Sequence, residues 1–337
     1  MLTAFPFARI VPPVTLAAVG VWILAGCATP HEARPTVPLT SYVRTVHHED
    51  GAASLEVALR RLAPVRGDGP AVWLAGVTHL GTTNYFQELQ RFLENQTVVL
   101  FEGVGATNRQ FQLRESAEFS LQQALARAVG LEFQLDAINY DRPHFHNSDL
   151  SVAELSHLLT PSALAEETSG GTTTDAPQMS HLIELMQGSG VWGGLARLTV
   201  AAIAASPRLQ TAMRLTLVEL LGNLPADLTR LPGLTPDLQE FMRVLIAERN
   251  RVVVQDLAAV LRQRPHPDSV AVFYGAGHMI DLEQRLCATL NYHAVEEQWL
   301  SAFDVNPRAA GLGQWELDFT RRIVRAQLDA LAEPVGP

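Results

Sequence analysis

The chain has 337 residues, 47% apolar and 18% charged, enough to bury one large or two ordinary cores and not the composition of a disordered, collagen-like or coiled-coil protein. Its net charge of −10, from 25 basic and 35 acidic residues, excludes a general nucleic-acid binder. All 25 basic residues are Arg, so a Schiff-base lysine, a lysine general base and a P-loop lysine are excluded as well.

The first feature in chain order is an apolar stretch over residues 10–26, after Arg9. It is too short and too interrupted by proline for a spanning helix. Its end, Leu24-Ala25-Gly26-Cys27, is similar to a bacterial lipobox. That resemblance implies that residues 1–26 are a removed signal peptide, that Cys27 is acylated, and that the chain is tethered to a membrane. Each buried methylene of an acyl chain contributes roughly 0.8 kcal/mol to such a tether. Ala28, a non-acidic residue after the Cys, implies the outer membrane, with the protein facing the periplasm. Residues 27–40 carry three prolines and read as a tether, followed by a single α/β domain over 41–337. His47-His48-Glu49-Asp50 has ligand-type residues but reads as an exposed cap in front of a helix.

Residues 71–76 are a short apolar run after Gly and Pro, which predicts a buried strand. Residues 85–95 place Phe86, Leu89 and Leu93 on one helical face, and 97–103 form a second strand. The length suits a right-handed parallel crossover. Residues 238–263 predict a long amphipathic helix, 269–277 a strand, 279–290 a helix, 293–299 a strand and 314–332 a closing helix. Cys287 lies in the 279–290 segment, where Met279, Leu282, Leu286 and Leu290 recur at helical spacing, and is expected to be a buried core thiol without a disulfide partner. The core of the domain is thus about 71–104 and 238–303. Between them, about 105–237 is rich in Leu, Ala and Gln and broken by Pro and Gly, which predicts a helical cap inserted over a largely parallel sheet. Within it, 169–177 reads as a loop, and 181–206 as a buried or membrane-facing cap helix rather than a span, because of Arg197 and four glycines.

Two predicted strands end alike, in Gly76-Val77-Thr78-His79 and Gly275-Ala276-Gly277-His278. Gly76 and Gly275 would let the backbone turn where a ligand approaches, and each His then stands past the carboxyl end of a strand, the edge at which open α/β sheets bind ligands. A third strand ends in Glu102. If the three strands are neighbours, His79, Glu102 and His278 converge. Two imidazoles and a carboxylate suffice to hold a divalent metal with an open water position, and such a metal generates hydroxide near neutral pH. The same trio works without metal if one His is a general base. A second cluster, Asp141, His144, His146 and Asp149, is read mainly as a loop leading to a capped helix start at Ser148, Asp149 or Ser151, and secondarily as further ligands. Arg249, within Ala247-Glu248-Arg249-Asn250, is either an ion pair on a solvated face or a group that binds a substrate carboxylate or orients Glu102.

The segments around 71–104, 247–261 and 270–286 resemble the TraB/GumN/Tiki superfamily, whose members share two Gly-x-x-His motifs, a Glu ending the strand after the first, and a Glu-Arg-Asp/Asn helix before the second. The resemblance covers under a third of the chain. It implies an α/β fold related to the erythromycin-esterase and ChaN-like proteins, and functional roles for His79, Glu102, Arg249 and His278, with Glu248 as the adjoining motif residue. It further implies a metal-dependent hydrolase, a peptidase foremost, using Mn, Co or Zn and acting on a peptide or small molecule. The alternative that it implies is a haem- or ligand-binding lipoprotein without hydrolytic activity.

Overall fold

The computed structural model describes residues 40–66, 69–103, 117–151, 198–228 and 231–333, with Glu154, Leu155 and Leu158. The expected signal peptide, most of the tether with Cys27, and the 169–177 loop lie outside these residues. The fold is mixed α/β with a mostly parallel central sheet flanked by helices. Strands β3 (Ala71–Val77), β8 (Ser269–Gly275), β5 (Val98–Phe101) and β7 (Phe145–Asn147) run side by side and parallel, in that order. Strands β3, β8 and β5 are almost wholly apolar and buried, as strands covered on both faces must be. Strands β3 and β5 are therefore not direct neighbours, since β8 lies between them.

Beside β3 the sheet turns antiparallel. The long strand β2 (Ala53–Pro64) pairs with β3, with β1 (Val43–His47), and along its other edge with β9 (Tyr292–Val305). The helix expected after His47–Asp50 is replaced by this strand, although ASLEVALRRLAP is rich in helix formers. Burial between three strands overrides that propensity. The run His47–Asp50 accordingly ends β1 and enters a hairpin turn, with Gly51 at φ 86°, and caps no helix. The small pair β4 (Leu80–Gly81) and β6 (Glu132–Phe133) sits apart.

Helix α1 (Thr83–Glu94) starts where the Thr82 hydroxyl accepts the Tyr85 N–H and buries Tyr85, Phe86, Leu89 and Leu93. In the middle region, α2 (Ala117–Ala128), the short α3 (Gln134–Ala137) and α4 (Pro207–Gly222) are helical. That region also supplies β7, so it is not helical throughout: part of it completes the sheet itself. Helix α4 packs on the antiparallel wing and on α8 (Gln314–Ala332).

Helix α5 (Pro236–Arg243) continues through a π-helical turn (Val244–Glu248) into α6 (Arg249–Leu261), close to the single helix predicted over 238–263. A 3₁₀ turn (Ala276–His278) leads from β8 into α7 (Met279–Leu290). Met279, Leu282 and Leu286 face the core, but Cys287 is exposed. It stands one residue, about 100° of helix rotation, past the last residue of the buried stripe. Among the described residues no helix is long and apolar enough to cross a membrane.

Candidate functional site

The carboxyl ends of β3, β8 and β5 carry His79, His278 and Glu102, and the strand order puts them on one edge of the sheet. Glu102 follows β5 directly. Its Oε2 accepts the Gly275 N–H at 2.8 Å, and a Cβ at Gly275 would lie 3.4 Å from that oxygen. Glycine thus lets strand β8 come up against the carboxylate. Gly76 is packed in the same way, and a Cβ there would meet Met279 at 3.1 Å and Tyr42 at 3.2 Å.

Arg249 opens α6 and is buried at 3% exposure. Its Nη2 donates to Glu102 Oε1 at 2.7 Å and to Asp149 Oδ2 at 2.6 Å, and its Nε donates to Asp149 Oδ1 at 2.9 Å. Asp149 stands just past β7 with a fully buried side chain and also accepts the Gly103 N–H at 2.9 Å. These donors are spent on two carboxylates, so Arg249 orients Glu102 and leaves those N–H groups unavailable to a substrate. Burial disfavours the charge on Glu102, but the Arg249 guanidinium, with the two imidazoles, outweighs it and holds the carboxyl well below the usual carboxylate range.

His278 is completely buried. Burial pushes its pKa below the ordinary value for histidine, against the opposing pull of Glu102, so the ring is neutral near pH 7. Its Nδ1 meets Asn250 Oδ1 at 2.5 Å, and the Asn250 amide donates to Asp281 Oδ2 at 2.8 Å and to the His278 carbonyl at 3.2 Å. Its Nε2 has no hydrogen-bond partner and faces Glu102 Oε1 at 3.6 Å, too long for a hydrogen bond. His79 is half-buried. Its Nδ1 contacts Gln134 Oε1 at 3.0 Å, and Gln134 Nε2 donates to the Tyr140 hydroxyl at 2.9 Å.

The π-helical turn immediately before Arg249, a device that often marks functional sites, precedes two consecutive inward-facing residues. Arg249 faces Glu102 and Asp149, and Asn250 faces His278 and Asp281. Glu248 points away, pairing with Arg251 at 2.9 Å. Of the second cluster, Asp149 reaches the site. Asp141 and His146 are exposed and His144 packs on Phe145, so these three do not form a ligand set with it. The cap reading there applies to Ser151, which exchanges backbone–side-chain hydrogen bonds with Glu154. Gln134 and Asp281 carried no signal in the sequence, and Asn250 stood in the Glu-Arg-Asp/Asn motif with no role assigned to it. Asp149 carried a weak one, as an acid next to a short strand.

For a divalent cation the chemistry of the donor set is suitable. Two carboxylates and one guanidinium leave the cluster at net −1, and a bare imidazole nitrogen faces a carboxylate oxygen. Among the described residues, however, no three His, Cys, Asp or Glu side chains stand together as a ready ligand cage. Comparison of the chain with family models, characterised proteins and solved structures finds no match.

Proposed function

We propose that the protein is a hydrolase of carbonyl substrates, peptides foremost, of the TraB/GumN/Tiki kind. The observation that carries this reading is the buried, partnerless Nε2 of His278, 3.6 Å from an ionised Glu102 at the ligand-binding edge of a parallel sheet. Two acceptors at that spacing are matched by one water donating a hydrogen to each, with its lone pairs left facing the crevice. As that oxygen attacks a carbonyl, His278 Nε2 takes the proton, and Glu102 stabilises the imidazolium formed. His278 then returns the proton to the leaving group. Arg249 and the Gly275 N–H keep Glu102 ionised and aimed, and His79 offers a second imidazole at the same edge. A divalent Mn, Co or Zn, if bound at this edge, would draw its ligands from His278, Glu102 and His79, which do not stand together as a ready cage here, and would supply an acidified water. The lipobox supports a position tethered to the bacterial outer membrane through Cys27, facing the periplasm.

The test is hydrolysis of a panel of unstructured peptides by the full-length protein, before chelation, after it, and after add-back of each metal. Peptide cleavage is the expected result. A Soret band on mixing with haem, without cleavage of any peptide, would replace the hydrolase reading with that of a carrier.

A further inference from the structure

His278 lies between two groups that pull its ring proton in opposite directions. Glu102, an anionic acceptor, faces Nε2, and taken alone it would draw the proton to that nitrogen. Asn250 faces Nδ1. The orientation of the Asn250 amide is settled by its other neighbours. The His278 carbonyl and the Asp281 carboxylate can only accept, so the amide NH₂ must point at them. The oxygen is then left facing Nδ1 at 2.5 Å, and Nδ1 must be the donor. Asp281 is itself held by Arg285 Nε at 2.5 Å. Asn250 is fully buried and Asp281 is 4% exposed, so water does not stand in for either partner.

We infer that Asn250, fixed by Asp281 and Arg285, is a positioning residue that locks the neutral His278 ring as the Nδ1–H tautomer and keeps the Nε2 lone pair bare against Glu102. The neighbouring carboxylate opposes this tautomer, so the chain of Asn250, Asp281 and Arg285 holds a less favoured state, the form that a base or a metal ligand needs. His79 Nδ1 also contacts an amide oxygen, Gln134 Oε1, at 3.0 Å, but the Tyr140 hydroxyl beyond Gln134 can donate as well as accept, so no tautomer is fixed there. The inference takes its meaning from the hydrolase reading, but its first test needs no substrate.

That test is a nitrogen-15 ring spectrum of the full-length chain in detergent, labelled at histidine and recorded at pH 7.5. The His278 signals are those lost in His278→Gln. A proton on Nδ1 and a bare Nε2 are expected. A proton on Nε2, or on both nitrogens, overturns the inference even if no variant folds. In folded Asn250→Leu the ring proton should move to Nε2, toward Glu102, and an unchanged Nδ1–H signal there overturns the lock. The same variant should lose about 10- to 100-fold in kcat with KM little changed. A wild-type kcat in a variant whose proton has moved would show that the lock has no catalytic role. Absence of hydrolysis in the wild type would refute the hydrolase reading and leave the tautomer result standing.

Discussion

Arg249→Met tests the electrostatic centre of the site. The substitution keeps the apolar stem and removes the guanidinium that serves both Glu102 and Asp149. Asp149 would keep the N–H groups of Gly103 and Leu150, and Glu102 that of Gly275. Among the described residues, no cation would remain within salt-bridge distance of Asp149, whose side chain is fully buried. Breaking a buried pair in this way costs about 3–5 kcal/mol. For a domain of about 300 residues, with an unfolding entropy of about 2.1 cal/mol/K per residue, that corresponds to a fall in unfolding midpoint of roughly 5–8 °C. The sign with pH follows from Glu102. In the wild type its folded pKa is depressed, so its contribution is present above the unfolded value of about 4.3 and is lost as pH falls through the lower folded value. In the variant burial acts without the guanidinium and raises that pKa, so protonation relieves the cost. The deficit should be largest at pH 8 and shrink toward pH 5, read by circular dichroism during thermal unfolding. Adding Glu102→Gln and Asp149→Asn to Arg249→Met should recover much of the loss. A midpoint within about 2 °C of wild type at pH 8, or a deficit independent of pH, would refute this account of the cluster.

Glu102→Gln keeps the shape, removes the charge, and should lower the hydrolytic rate by about 10²- to 10⁴-fold. Metal analysis of that variant alongside wild type then separates ligand from electrostatic partner, since bound metal should vanish with the charge only if Glu102 holds it. His278 adds to acid sensitivity in the wild type: its folded pKa is lowered by burial, so stability is full above the unfolded value of about 6.5 and declines as pH falls below it. Unfolding midpoints measured from pH 8 down to 5 should fall, and a flat profile would contradict the buried neutral ring. If Cys27 is acylated as proposed, exposed Cys287 is the one thiol left, so membrane-bound protein should take up one maleimide per chain and Cys27→Ser protein should leave the membrane fraction. Burial, then Glu283, pushes the Cys287 thiol up, so labelling should accelerate as pH rises.

The parts of the fold that were legible share one property, a local pattern with a single physical reading. The apolar runs of β3, β5 and β8 are too short and too continuous for anything but buried strands, and α1, α7 and α8 showed an apolar stripe at helical spacing. The two Gly-x-x-His turns and the Glu after β5 were readable because glycine and a charged residue directly after an apolar strand are costly unless used. What stayed hidden depends on distant chain. Residues 53–64 are helix-prone in composition and become a strand only because β1, β3 and β9 pair with them. The segment Phe145–Asn147 is too short and polar to announce a sheet strand, so Asp149 read as a loop residue although it completes the Arg249 pair. Cys287 was misplaced by one step around α7. Asn250 and Asp281 meet only once the π-helical turn has set the rotation of α6 over α7.

The most direct test of the central claim, that His278 takes a proton from an attacking water beside Glu102, is the ratio of kcat/KM between wild type and His278→Gln on the best-cleaved peptide at pH 7.5. A fall of at least about 10²-fold, with the folded state retained by circular dichroism, is the result expected of a lost general base. Equal kcat/KM values in the two proteins would contradict it and move the chemistry away from this edge of the sheet.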